Sequence, residues 1–140
     1  MEIWKTINSF PNYEVSNFGS VRNTKTGNML KVATNNSGYK LVCLSNKNKK
    51  RTGYIHRLVA ESFINTNLDT RTSVVNHVDG DKSNNTIKNL EWASYSQNAH
   101  HSRSRLKIKA KQVIDLYELL EQMELDQIDK VVKYCKGILR

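Results

Sequence analysis

VVNHVDGDKSNNTIKNLEWASYSQNAHHS, Val74 to Ser102, is the stretch whose reading decides this chain. It gathers three of the four histidines, many asparagines and two aspartates into one short segment. Val74, Val75 and Val78 around His77 predict a strand, with the histidine at its end. Asp79-Gly80-Asp81-Lys82-Ser83-Asn84-Asn85 reads as a turn-rich loop, where Asp-Gly is favoured for backbone reasons and both aspartates shape the turn. A second short strand is expected around Asn89-Leu90-Glu91-Trp92, then a polar helical segment carrying Asn98, His100 and His101. A unit of about thirty residues buries little by itself, so its polar groups are expected to serve a site. Metal-assisted phosphodiester cleavage needs such a set: an imidazole to take a proton from water, and oxygen or nitrogen ligands for a divalent cation.

Outward from this segment, the charge is uneven. The chain has 140 residues, room for one ordinary domain or two small modules, and a net charge of +9, which points to a polyanionic partner. Residues 1–55 carry nine Lys/Arg against Glu2 and Glu14, whereas residues 56–105 and 106–140 are each within one charge of neutral. One part is expected to grip and another to cut. Cys43 and Cys135 lack metal-ligand spacing, which excludes a zinc finger, and free thiols suit a reducing, cytoplasmic setting. The chain opens on no charged-then-apolar leader, and no apolar run approaches membrane-spanning length.

The first fifty residues alternate apolar and polar side chains between frequent turns. Tyr13-Glu14-Val15 and Gly38 to Leu44 read as strands, and Asn17-Phe18-Gly19 and Asn35-Asn36-Ser37-Gly38 as turns. Lys47-Asn48-Lys49-Lys50-Arg51 reads as a basic hairpin tip or loop, either a solvated charged turn or a phosphate contact, leading into a strand at Gly53-Tyr54-Ile55. His56 to Ile64 has apolar residues at helical spacing. From Lys107 the pattern is helical to the end. One stripe runs through Val113, Leu116, Tyr117, Leu120 and Met123, and a second through Ile128, Val131, Val132, Cys135 and Ile138, with Gly137 as its expected stop. Trp4 and Trp92 are expected in the core.

HRLVA…NHVDGDKSNN…NLEW…QNAHH resembles the HNH nuclease domain of phage homing endonucleases encoded within group I introns. The opening EIWKTI…YEVSNFGSVRN…TG…GY is similar to the nuclease-associated module that precedes it there; together they span residues 2–102. The resemblance implies an α+β chain: a small antiparallel β module that binds DNA (1–55), a ββα-metal nuclease fold (56–105) and a helical tail (106–140). It assigns His77 as general base and Asn89 as the asparagine that ties the loop and orients it. Asn98 falls on a metal-ligand position, with His101 as a further ligand, for one Mg²⁺ or Mn²⁺ ion. Asn76 stands where well-studied members have a ligating aspartate; an amide still ligates, with less charge.

Double-stranded DNA is the implied partner, gripped by Arg22, Lys40, Lys47, Lys49, Lys50, Arg51, His56 and Arg57, and cleaved by hydrolysis to a 5′ phosphate and a 3′ hydroxyl. One histidine and one ion make a single site, so a monomer is expected to nick. A second reading stays open: a DNA- or protein-binding regulator that keeps the fold without turnover, its helical tail docking on a protein partner. An RNA-directed nuclease is less favoured, because no aromatic single-strand platform is evident.

Overall fold

Phe10-Pro11-Asn12-Tyr13-Glu14-Val15-Ser16 shows how the first module is made. In the computed structural model, which describes residues 1–46, 49–121 and 123–138, this stretch is strand β2 (Phe10–Ser16), central in an antiparallel sheet with β1 (Trp4–Ile7) and β3 (Val21–Asn23). Tyr13 and Val15 turn inward on the two-residue period of a strand. Pro11, which has no amide N–H to give, sits where the β1–β2 register shifts between Thr6 and Ile7, so no ladder bond is lost.

A second antiparallel sheet joins β4 (Ala33–Thr34), β5 (Lys40–Asn46) and β6 (Lys49–Tyr54). Lys49 to Arg51, expected in a loop, lie in β6, paired with Leu44 to Asn46 of β5. Cross-strand pairing overrides the weak strand preference of lysine here. Lys47 lies outside the described residues. With no intervening loop, β6 runs into helix α1 (Ile55–Phe63), which starts one residue before its expected start and buries Ile55, His56, Leu58, Val59 and Ala60.

The third sheet is the pair β7 (Val74–His77) and β8 (Leu90–Ala93). Helix α2 (Tyr95–Glu121) and helix α3 (Leu125–Ile138) complete the chain. α2 is one continuous helix through Ser102 to Leu106, where the sequence has no glycine or proline to break it. α3 passes through Gly137, the expected stop; a single glycine weakens a helix by about 1 kcal/mol without ending it. No described helix is long and apolar enough to cross a membrane.

Contacts divide the chain once, into residues 1–100 and 101–140. Within the first unit one hydrophobic core joins Ile7, Tyr13, Val15 and Val21 of the first sheet to Val42 and Leu44 of the second. The same core takes in Leu58 and Val59 of α1 and Val75 and Leu90 of the β7–β8 pair. Trp92 packs against this core, while Trp4 is half-buried under the Arg22 guanidinium, 4.1 Å from its ring centre. In the second unit α2 exposes Leu106, Val113, Leu116 and Tyr117, and α3 exposes Val131, Val132 and Tyr134.

Gly19 ties the first sheet to the loop after β7. Its φ of +85° is one that L side chains rarely adopt, and an added Cβ would stand 2.9 Å from Asn85 Cβ and 3.2 Å from Asn85 O. Nearby, the Ile87 amide donates to the Asn17 carbonyl at 2.9 Å. Gly19→Ala is expected to cost about 1–3 kcal/mol from backbone strain alone, read as a lower thermal midpoint. An unchanged midpoint would refute both the strained turn and its close approach to Asn85.

Candidate active site

β7 and β8 are in register with Asn76 opposite Glu91 and His77 opposite Leu90. The loop between them carries few apolar residues, so its side chains must satisfy its backbone. Asn89 does most of this. Its Oδ1 accepts from the Asp79 amide at 3.0 Å, and its Nδ2 donates to Asp79 Oδ1 at 2.9 Å and to the Asn84 carbonyl at 2.8 Å. Asp79 also accepts from the Asp81 amide at 2.7 Å and from Asn84 Nδ2 at 2.8 Å. Asp81 in turn holds the amide and hydroxyl of Ser83. Both aspartates shape the loop. Desolvation pulls Asp79 upward, but hydrogen bonds from Asn84, the Asp81 amide and Asn89, with the His77 charge, outweigh it and keep its carboxyl below the ordinary value.

The His77 ring itself meets a second asparagine, Asn85. Its Nε2 lies 3.1 Å from Asn85 Oδ1, and Asn85 Nδ2 donates to the Ser83 carbonyl at 3.0 Å. The second bond fixes which end of the amide faces the ring. An amide oxygen only accepts, so in the neutral ring His77 Nε2 carries the hydrogen and Nδ1 the lone pair. His77 is 5% exposed and Asn85 also 5%, so this bond is made away from bulk water. Asn89 acts one step removed, by holding the loop that presents Asn85.

Around the imidazole sit aromatic rings from the residue before β5 and from α1. His56 lies 5.2 Å and Tyr39 6.1 Å from the His77 ring centre, both tilted against it, and Tyr39 and His56 are 5.0 Å apart. Lys82, from the loop after β7, lies 4.7 Å over the Tyr39 ring and donates to the Ser37 carbonyl at 2.9 Å. His56 Nδ1 is buried without a hydrogen-bond partner. Desolvation, reinforced by the charges of His77 and Arg57, lowers the His56 pKa from 6.5 to about 4.

Unfolded His56 therefore binds a proton near its ordinary pKa, and folded His56 only near pH 4. Its contribution to stability is complete above pH 6.5 and is lost as the pH falls toward 4. His56→Phe, which keeps a ring and removes the orphaned nitrogen, is expected to flatten the loss of thermal midpoint across that window. The same acid slope in the variant would refute the assignment.

Asn76 is 3% exposed, and its Nδ2 donates to Glu91 Oε1 at 2.6 Å. Asn98 lies in the first turn of α2. That helix begins at a reciprocal cap, with the Ser94 amide donating to Gln97 Oε1 at 2.9 Å and the Gln97 amide to Ser94 Oγ at 3.2 Å. The Asn98 amide then donates to the Ser94 carbonyl at 3.0 Å, and its side chain is half-buried. His100 is exposed; His101, also exposed, opens the second unit. Among the described residues no group of three or more His, Cys, Asp or Glu could hold a metal ion. An ion here would rely on amide oxygens, water and phosphate, and such hard oxygen donors fit Mg²⁺ or Mn²⁺.

The expected DNA contacts divide. Lys50 and Arg51 are exposed on β6, and Lys40 donates to Thr34 Oγ1 at 2.9 Å. The Lys49 side chain lies outside the described residues. Arg22 is bound to Glu14 at 2.8 Å. Arg57 donates to the Thr70 carbonyl at 2.8 Å and to the Ser73 carbonyl at 3.4 Å, so its guanidinium holds the segment leading into β7. His56 is 8% exposed. For these last two the structure shows internal roles. Asn85 and Glu91 were absent from the expected site. The paired asparagines Asn84-Asn85 were a visible signal for the first, whereas the second depends on strand register.

A ββα unit with a histidine at the end of its first strand is what the resemblance to HNH nucleases implied, and the chain belongs to the HNH endonuclease family. Residues 53–100 match the family described as HNH endonuclease and residues 2–45 match the NUMOD4 motif. The chain is 37% identical over 103 residues to DNA endonuclease I-HmuI of Bacillus phage SP01, covering 73% of this chain and 58% of that protein. An uncharacterized HNH endonuclease of Acanthamoeba polyphaga mimivirus is 48% identical over 99 residues, 71% of this chain, and this chain spans 29% of its length. The solved structure of I-HmuI, described for DNA binding and cleavage, superimposes with a TM-score of 0.69 at 34% identity, covering 83% of this chain and 68% of that one. The α+β fold with N-terminal antiparallel strands is the one expected.

Proposed function

We propose that this protein hydrolyses DNA phosphodiester bonds as a metal-dependent endonuclease, nicking one strand per site. The observation that carries this reading is the Asn85–His77 bond, which leaves the lone pair on Nδ1. His77 Nδ1 takes the proton from a water in line with the scissile phosphorus. The P–O bond to that water forms as the bond to the 3′ oxygen breaks, giving a 5′ phosphate and, after protonation, a 3′ hydroxyl. Asn76 and Asn98 are the residues of the first unit that would hold Mg²⁺ or Mn²⁺. When bound, the ion supplies positive charge to the phosphate and to the departing oxygen.

Lys50 and Arg51, with Lys47 and Lys49 beside them in sequence, supply phosphate contacts, so affinity for double-stranded DNA should fall steeply with salt. The test is relaxation of supercoiled plasmid with Mg²⁺ or Mn²⁺, with and without EDTA. Metal-dependent open circles support the reading, and linear product would replace nicking with paired cleavage. Plasmid that stays supercoiled while the protein retards DNA on a gel would make it a binding module instead.

A further inference from the structure

Asn76 is the weak point of the site, a neutral amide asked to ligate a dication. Directly across the strand pair stands a carboxylate. Asn76 and Glu91 are partners in the β7–β8 register, so their side chains rise from the same face, and Asn76 Nδ2 donates to Glu91 Oε1 at 2.6 Å. Two consequences follow from the chemistry of that bond. An ionised carboxylate can only accept, so the amide cannot flip; Nδ2 is pinned toward Glu91 and Oδ1 occupies the opposite branch of the planar group. A charge-assisted N–H···O⁻ bond also draws electron density toward the amide oxygen, making Oδ1 a better donor to a hard cation. Asn76 is almost fully buried and Glu91 half-buried, so the bond between them is made largely away from bulk water.

We infer that Glu91 is a positioning residue for the metal site: it orients and polarises Asn76 and supplies, one side chain back, the negative charge that an aspartate at position 76 would supply directly. This is the carboxylate-behind-the-ligand arrangement that tunes metal affinity elsewhere. The inference rests on the reading of Asn76 as a ligand, and its test separates the two.

The experiment titrates the full chain with Mn²⁺ and follows loss of the free-ion electron paramagnetic resonance signal, with thermal midpoints measured in parallel. Glu91→Gln keeps an oxygen that can accept the Asn76 bond and removes the charge. It is expected to weaken Mn²⁺ binding about 10–100-fold with little change in thermal midpoint. In the double variant Asn76→Asp, Glu91→Gln the charge moves onto the ligand and the glutamine amide donates back, so Mn²⁺ affinity should return close to wild type. Glu91→Gln that binds Mn²⁺ like wild type, while Asn76→Ala is weakened, overturns the role of Glu91 alone. Asn76→Ala that binds like wild type removes Asn76 as a ligand, and the proposal with it. A weakened Glu91→Gln that the double variant fails to rescue also refutes the charge argument.

Discussion

His77→Ala should reduce plasmid relaxation by about 10²–10⁴-fold, the usual worth of a positioned general base, while leaving DNA retardation on a gel intact. The separation of these effects follows from the position of the side chain. His77 is buried at the end of β7, among Tyr39, His56 and Asn85. Phosphate affinity is expected to come from Lys50 and Arg51, exposed on another sheet. Asn85→Leu should fall between wild type and His77→Ala, because it leaves the base in place and lets the tautomer and ring orientation vary. Asn85→Asp keeps the acceptor opposite Nε2–H and should retain more activity than Asn85→Leu. Equal cleavage by wild type and His77→Ala would end the general-base assignment, and an inverted order of the two Asn85 variants would end the tautomer argument.

Asn89→Ala should be the most destabilising polar substitution in the first unit. One side chain makes three hydrogen bonds that close the loop between β7 and β8. Each is worth about 0.5–1.5 kcal/mol net, and buried groups left unpaired add to the loss. A total of about 2–4 kcal/mol follows, which for a unit of this size corresponds to a fall of roughly 10 °C or more in thermal midpoint. Asn89→Asp, despite its matching shape, should be no better. It would set a carboxylate against Asp79 Oδ1, which Asn89 Nδ2 now meets at 2.9 Å, and against the Asn84 carbonyl at 2.8 Å. Calorimetry of both variants beside their cleavage rates checks this. A midpoint unchanged in Asn89→Ala, with cleavage lost, would instead make Asn89 a participant in the chemistry.

What could be read from sequence is what depends on near neighbours. Val74 and Val75 before His77, the Asp-Gly turn, and Leu90 and Trp92 after it are local signals, and the strand–loop–strand–helix order follows from them. The cap that starts α2 is a local signal too, since Ser94 and Gln97 have the spacing of a capping box. The features that escaped depend on partners far along the chain. Glu91 meets Asn76 only because the β7–β8 register pairs them, and a slip of one residue would turn it to the other face. His56 looks like an exposed helix-start residue until β5, β6 and β7 close over it with Tyr39, Tyr54 and His77. Lys49 to Arg51 carry little intrinsic strand signal and become a strand through pairing with β5.

The core described above also bears on how such a chain can be inherited. Two recognisable segments, 2–45 and 53–100, suggest interchangeable cassettes joined by a short seam. Yet Val15, Val42 and Leu44 from one side share a single apolar interior with Leu58, Val59 and Val75 from the other, and Gly19 leaves room for Asn85. A crossover at the seam that brought in a foreign first cassette would have to reproduce the shape of that interior as well as a new DNA preference. On the proposed reading, in which β5 and β6 face DNA, lineages built this way should change target by surface substitution on those strands more readily than by swapping cassettes.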